Sequence, residues 1–322
     1  MITILGPTAC GKTQLAVALA AKLNAEIISA DSRQVYRGMD IGTGKDLDDY
    51  IYNGVQRIPY HLIDICEPGE KYNVYRFQHD FEEVYAELQQ RQCPAILCGG
   101  SGLYIEAVLR NYQLPTVPQN PTLRNELEAL TLQQLTDKLR ELKKRNGSQL
   151  HNHTDVDTKK RAIRAIEIEE YILKETEVEV KVDYAQTRGA SREIGKGAVS
   201  LVVGIDIPRE ERRQRISQRL RQRLEQGMVE EVRRLLDTKC TPQQLIYYGL
   251  EYRYLTQYII GELTYDQMVA QLEIAIHQFA KRQMTWFRGM ERRGVRIHWI
   301  NYKVSMEEKV QCVMHLIENA TP

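Results

Sequence analysis

The sequence predicts an α/β fold, a parallel sheet core flanked by helices with a mainly helical insertion domain. Three observations predict it. Short apolar runs alternate with stretches of helical periodicity, and glycine-rich turns follow the first and third of those runs. A proline-led, charged stretch then interrupts the alternation from residue 115 to 197.

Ile2 to Leu5 reads as a short buried strand. After a glycine turn, a helix runs from about Lys12 to Leu23, with Leu15, Ala16, Leu19 and Leu23 apolar, and a second strand spans Glu26 to Ser29. Asn73 to Arg91 has helical spacing at Val74, Phe77, Phe81, Val84 and Leu88. Ala95 to Cys98 is a compact strand entering Gly99-Gly100. Pro115, Pro118 and Pro121 open the region of charged helices, expected at Leu123 to Leu130, Leu132 to Lys144 and Thr158 to Lys174. Ser200 to Asp206 then returns as a core strand. An arginine-rich helix, further helices to Met290 and a late strand at Val295 to Ile300 follow. The expected organisation is a core of residues 1–114 and 198–322 around an insertion of residues 115–197.

With 322 residues, 43% apolar and 27% charged, the chain can bury one large core or two unequal ones, as a soluble globular protein. No run approaches the roughly 20 apolar residues that cross a bilayer. Met1 to Leu5 leads into a glycine turn rather than a secretory signal, so the cytoplasm is the expected compartment. Cys10, Cys66, Cys93, Cys98, Cys240 and Cys312 form no Cys-x-x-Cys pair and have no paired histidines. They suggest buried free thiols rather than a zinc site or disulfide framework. Net charge is only +1, but arginine is concentrated in residues 209–223, and Lys281 to Arg296 is also basic. Such stretches either line a polyanion site or are solvated helix faces, and charge alone does not decide.

Gly6-Pro7-Thr8-Ala9-Cys10-Gly11-Lys12-Thr13 matches G-x-x-x-x-G-K-[ST] between a predicted strand and helix. Glycines let the backbone curl so that several N–H groups face one phosphate, and the helix start adds its positive end. Lys12 supplies a mobile cation, and the Thr13 hydroxyl can hold Mg²⁺. The core is therefore expected to be P-loop NTPase-like. The motif specifies a pyrophosphate cradle without saying which pyrophosphate.

Asp31 follows the second strand, at the edge where open α/β sheets place ligands, and is expected to face the phosphate loop. A carboxylate there is either a group near Mg²⁺, as in NTPases, or a general base for an incoming nucleophile.

From this point the motifs become specific. Gly6 to Thr13 is followed by Asp31-Ser32-x-x-x-Tyr36-x-Gly38-Met39-Asp40-Ile41-Gly42-Thr43, His61-Leu62-Ile63-Asp64 and Gly99-Gly100-Ser101-Gly102-Leu103-Tyr104. Arg161-x-x-Arg164-Ala165-x-Glu167 and Lys281-Arg282-Gln283-x-Thr285-Trp286-Phe287-Arg288 come next in order. The chain resembles the tRNA dimethylallyltransferases (isopentenyltransferases) from the first strand to about Arg288. It departs from them at Cys10, where serine is usual, at Ser101, where threonine is usual, and at Gly44-Lys45-Asp46, in place of alanine-lysine-proline. Asp155-Val156-Asp157-Thr158 replaces a histidine-proline-asparagine-aspartate run, and Tyr248-Gly249-Leu250-Glu251 only approximates an isoleucine-glycine-tyrosine segment.

The resemblance implies transfer of a dimethylallyl group from dimethylallyl pyrophosphate to N6 of the adenosine just 3′ of the anticodon, position 37 of tRNA. The donor would sit on Gly6, Pro7, Thr8, Ala9, Cys10, Gly11, Lys12 and Thr13, with Arg219 and Arg124 on its pyrophosphate and Mg²⁺ at Thr13. Asp31 would be the base, acting with Lys12 and Arg219 in catalysis. The tRNA anticodon stem-loop would meet Asp31, Ser32, Arg33, Gln34, Ser101, Lys160, Arg161, Arg164, Lys281, Arg282, Gln283 and Arg288. Trp286-Phe287, at helical spacing, reads as core rather than as a stacking platform. A monomer is the expected state. The competing readings are a small-molecule P-loop kinase and an adenylate isopentenyltransferase, which would not need the insertion. A non-catalytic RNA-binding protein is the third, and intact Lys12, Thr13 and Asp31 speak against it.

Overall fold

The computed structural model describes residues 1–112, 117–147, 153–178 and 200–320. In chain order the strands are β1 (Ile2–Leu5), β2 (Glu26–Ala30), β3 (Ile51–Tyr52), β4 (Gln56–Arg57), β5 (Tyr60–His61), β6 (Ala95–Gly99), β7 (Leu201–Asp206) and β8 (Ile297–Asn301). Six of them form one parallel sheet in the order β5-β2-β6-β1-β7-β8, while β3 and β4 pair as a separate antiparallel ribbon. An α/β fold was expected, and this is one. The four long apolar runs supply β1, β2, β6 and β7, because a parallel sheet buries both faces of its strands and leaves few polar positions. The two-residue β5 is too short to carry a periodicity.

Alternate residues of these strands feed two cores. Leu5, Ile28, Leu97 and Val202 join one; Ile4, Ile27, Ile96 and Val203 join the other. Helices α1 (Lys12–Leu23) and α12 (Met306–Ala320) contribute Leu15, Leu19, Val310 and Val313 to the second core. The first core takes Phe77 and Phe81 from α2 (Val74–Gln90) and Tyr104 and Ile105 from α3 (Gly102–Leu109). Between the insertion and the C-terminus, α7 (Arg209–Glu225), α8 (Met228–Thr238), α9 (Pro242–Tyr247), α10 (Leu250–Ile259) and α11 (Tyr265–Arg292) complete it. Phe287 is fully buried there, as core spacing predicts. Four of the six thiols are buried, but Cys93 is part-buried and Cys312 lies exposed on α12.

The insertion has its own core. Helices α4 (Pro121–Glu128), α5 (Leu132–Arg145) and α6 (Lys159–Val178) bury Leu123, Leu127, Leu135, Leu139, Leu142, Ala162, Ile163 and Ile166 together. Pro121 occupies the first turn of α4, where its missing N–H costs nothing, and a Thr131–Gln134 capping box starts α5. The chain divides into one unit of Met1–Tyr112 with Arg192–Pro322 and another of Gln113–Ser191. Of the three prolines that open the insertion, Pro115 lies outside the described residues.

Register places the functional loops. Leu5 lies beside Gly99, and Gly99 beside Ala30, so the chain leaves β1, β6 and β2 at one edge of the sheet. Gly99 has no room for a side chain: an added Cβ would fall on the carbonyl of Ala30. We expect Gly99→Ala to lower unfolding stability by about 1–3 kcal/mol, since backbone must shift to admit the methyl. Urea denaturation would measure the loss.

Candidate active site

The six residues from Gly6 to Gly11 join β1 to α1, whose first two residues are Lys12 and Thr13. Ala9 (φ 61°) and Gly11 (φ 86°) take left-handed backbone, which turns the loop back on itself. A Cβ on Gly6 would lie 2.6 Å from the Cys10 sulfur, so a larger residue here would have to push that thiol aside. Cys10 is buried and its thiol is pushed up by that burial, which makes it packing, not a nucleophile. No side chain caps the N-terminus of α1 and no acidic residue lies in its first turn. The positive end of α1 is therefore not neutralised by a carboxylate of its own first turn.

Gln283 ties this loop to its neighbour. Its Oε1 accepts from Thr8 N–H at 2.9 Å, and its Nε2 donates to the Gly100 carbonyl at 2.9 Å. The side chain is buried, so this residue, expected at the RNA, holds two backbone turns in place.

The loop after β2 carries Asp31. One carboxylate oxygen accepts from the N–H groups of Arg33 (2.8 Å) and Gln34 (3.4 Å). The other has no donor among the described residues. Ser32 N–H donates to the Ser101 hydroxyl at 3.2 Å, joining this loop to the start of α3. Gln34 accepts from Ser29 at 3.2 Å and donates to the Gly44 carbonyl at 3.0 Å.

Two buried charges fix the remainder of that loop, and neither was singled out from the sequence. Glu231, on α8, accepts from the N–H groups of Asp40 (2.9 Å), Ile41 (2.8 Å) and Gly42 (3.0 Å) and from the Tyr252 hydroxyl (2.7 Å). Lys45 donates to the Tyr36 carbonyl at 2.7 Å, to Asp40 at 2.8 Å and to Asp64. Lys45 and Asp64 lie inside the recognised motifs and offered a signal. Glu231 sits in an ordinary charged helix and offered none.

A cavity of about 310 Å³ opens between these loops. Of the residues expected at the donor, Thr8, Lys12, Thr13 and Arg219 line it. So do Asp31, Ser32, Arg33, Gln34, Ser101, Arg282 and Gln283, expected at the RNA. Arg219 pairs with Asp46 across the loop. Lys281 and Arg288 line a different, basic cavity of about 570 Å³ with Arg209 and Arg212.

Gly6, Pro7, Ala9, Cys10 and Gly11 belong to the phosphate loop without lining the 310 Å³ cavity, and Arg124, Lys160, Arg161 and Arg164 belong to the insertion unit. Arg124 makes a bidentate pair with Glu167, Nε at 2.9 Å and Nη2 at 2.7 Å. Arg164 joins the same carboxylate and donates to the Val117 carbonyl at 2.9 Å, while Asn120 N–H donates to it at 2.6 Å. Arg161 pairs with Asp157 at 3.1 Å, and Lys160 is exposed. Burial raises the Glu167 carboxyl, but Arg124, Asn120 N–H and Arg164 outweigh it and hold it down to about 2.

A phosphate-binding loop and a carboxylate facing one cavity at the sheet edge define an α/β protein of the phosphate-loop class. The IPP transferase family model matches residues 34–290, and an isopentenyl transferase model matches residues 1–65. "tRNA dimethylallyltransferase 1" of Parabacteroides distasonis is 59% identical over 99% of this chain and 98% of its own length. The crystal structure of the full-length tRNA isopentenylpyrophosphate transferase from Bacillus halodurans has a TM-score of 0.66 at 30% identity, covering 99% of this chain and 95% of that one. The corresponding transferase from Staphylococcus epidermidis gives 0.67 at 31%, covering 99% and 98%. The chain belongs to the IPP transferase family, that of the tRNA dimethylallyltransferases.

Two outcomes follow from the buried charges. Glu231→Ala leaves three N–H groups and a hydroxyl without their acceptor. It should cost about 2–4 kcal/mol of stability in urea denaturation, and Glu231→Gln less. The Glu167 carboxyl is lowered on folding, so its contribution is present above its ordinary value of 4.5 and is lost as pH falls toward about 2. Thermal melts at pH 5 and pH 2.5 should therefore differ more for the wild type than for Glu167→Gln.

Proposed function

We propose that the protein transfers the dimethylallyl group of dimethylallyl pyrophosphate to N6 of adenosine 37 in tRNA, releasing pyrophosphate. The observation that carries this reading is Asp31, with one carboxylate oxygen free of donors among the described residues, lining the same cavity as Lys12 and Thr13. The N6 lone pair attacks the allylic carbon as the carbon–oxygen bond breaks, and the bonding pair leaves with the pyrophosphate. Nitrogen becomes cationic as its bond forms, and Asp31 takes the proton it must lose. Negative charge gathers on the leaving group, where the loop N–H groups, Lys12 and Arg219 meet it.

Magnesium fits the side chains present. The Thr13 hydroxyl and the Asp31 carboxylate are hard oxygen donors. Cys98, the thiol in the cavity wall, is pushed up to about 12 by burial and stays protonated. Thr13 would hold the ion, which would neutralise pyrophosphate charge.

We assign the anticodon stem-loop to Asp31, Ser32, Arg33 and Arg282 at the cavity and to Lys281 and Arg288 beside it. Lys160 and Arg161 of the insertion unit serve the same RNA. Phosphates and loop shape are what such a basic set reads. Gln34, Ser101 and Gln283 act by holding the loops. Arg124 and Arg164 are kept out of the ligand set because Glu167 occupies both. Taking the adenine from an unpaired loop costs less unstacking than from a duplex. In this reading the protein works as a monomer in the cytoplasm.

Incubation with labelled dimethylallyl pyrophosphate, Mg²⁺ and unmodified tRNA, AMP or ATP tests the reading. Label should enter tRNA; label in AMP or ATP alone, or in none, overturns it. Asp31→Ala should lower turnover by roughly 10²–10⁴ with donor affinity little changed. Lys12→Ala should weaken donor binding itself.

A further inference from the structure

Arg219 and Arg223 stand one turn apart on α7, so both side chains face the same way. Both donate to one carboxylate oxygen, Oδ2 of Asp46, Arg223 from Nη2 at 3.4 Å. Asp46 is about half exposed, so water screens its charge and it neutralises two guanidiniums poorly. The Arg223 side chain is only 12% exposed. Its guanidinium has five N–H donors, and Asp46 is the one hydrogen-bond acceptor it meets among the described residues. Burial pulls its pKa down, as does Arg219, against the pull of Asp46 and Glu251. A buried cation so thinly paired favours a further anion.

The backbone beneath it was made to fit. Gly44 has φ 68°, and an added methyl would collide with Nη2 of Arg223. Gly44 and Asp46 are two of the places where the sequence departs from the family's alanine-lysine-proline. Alanine would block the guanidinium, and proline has no carboxylate to hold it. Gly44, Asp46 and Arg223 thus form one device. Gly44, Arg219, Arg223 and Glu251 line the 310 Å³ cavity with Lys12 and Thr13, and Asp46 lines a neighbouring cavity that Lys12, Thr13 and Arg219 also border.

We infer that Arg223 is a second arginine for the donor's pyrophosphate, beside Arg219, with Asp46 the positioning residue that holds both. The inference rests on the prenyl-transfer reading for the identity of the donor. Pyrophosphate brings several negative oxygens, enough for Lys12 and both forks together, and it replaces Asp46 as the principal acceptor of the two arginines. Asp46 keeps the guanidiniums from turning away while the cavity holds no donor.

Calorimetric titration of the full chain with pyrophosphate and Mg²⁺ tests this without needing tRNA. Arg223→Met should weaken binding by about tenfold to a hundredfold, the loss of charge-assisted hydrogen bonds, and Arg223→Lys by less. Gly44→Ala, which displaces the guanidinium and leaves its charge, should weaken binding in the wild type and add nothing in an Arg223→Met background. The KM for tRNA should not move in any of them. Wild-type pyrophosphate affinity in Arg223→Met overturns the inference. Should that variant not fold, wild-type affinity in Gly44→Ala does the same. Transfer of label to tRNA by the wild type, assayed separately, decides the prenyl-transfer reading whichever way the titration falls.

Discussion

The close approach of β2 and β6 at Ala30 and Gly99 governs the rest of the molecule. Parallel strands pair with even spacing, so fixing one contact fixes the register of the whole sheet. Because Gly99 carries no Cβ, the β2 and β6 ends draw level with the end of β1. The phosphate loop, the Asp31 loop and the Gly100–Ser101 turn therefore emerge side by side. A one-residue slip would exchange the two cores and carry Asp31 away from Lys12.

Side-by-side loops still have to be held, and the protein does this with polar side chains that ligand need never touch. Gln283 bridges the first and third loops, while Ser101 bridges the second and third. Glu231 and Lys45 grip the second from opposite signs of charge, one collecting N–H groups and the other a carbonyl and two carboxylates. Each of these two buried charges is met by several partners, the condition under which burying it does not unfold the chain. Such a site is preorganised: its geometry is settled by the protein's own bonds before any phosphate arrives.

What was legible in the sequence is what local chemistry writes. Apolar runs marked β1, β2, β6, β7 and β8, periodicity marked α1, α2 and the insertion helices, and G-x-x-x-x-G-K-[ST] marked the cradle, because each feature is set by neighbours within a turn or two. Gln283 was legible as a motif residue but not in its role, since its partners lie at Thr8 and Gly100, far away in the chain. For Arg124 and Arg164, too, the partner was not legible. An arginine read alone seeks phosphate, whereas both meet Glu167, and nothing in the spacing says that Asn120 N–H will join them there. Ser101 and Gln283 are motif members whose side chains bond backbone, and the motif alone did not say which backbone that would be.

The arginine-rich helix shows why charge along a sequence carries so little until it is wrapped. Ten residues separate Arg209 from Arg219, and helical geometry turns that interval into different surroundings. Arg209 and Arg212 open on the basic cavity with Lys281 and Arg288, while Arg219 and Arg223 open on the cavity of the phosphate loop. A net charge of +1 is consistent with both cavities because most carboxylates lie outside them, with only Asp31 and Glu251 lining the one and Asp206 the other. One helix thus lines two arginine-bearing cavities, and the division between them is made by a 3.6-residue period that composition averages away.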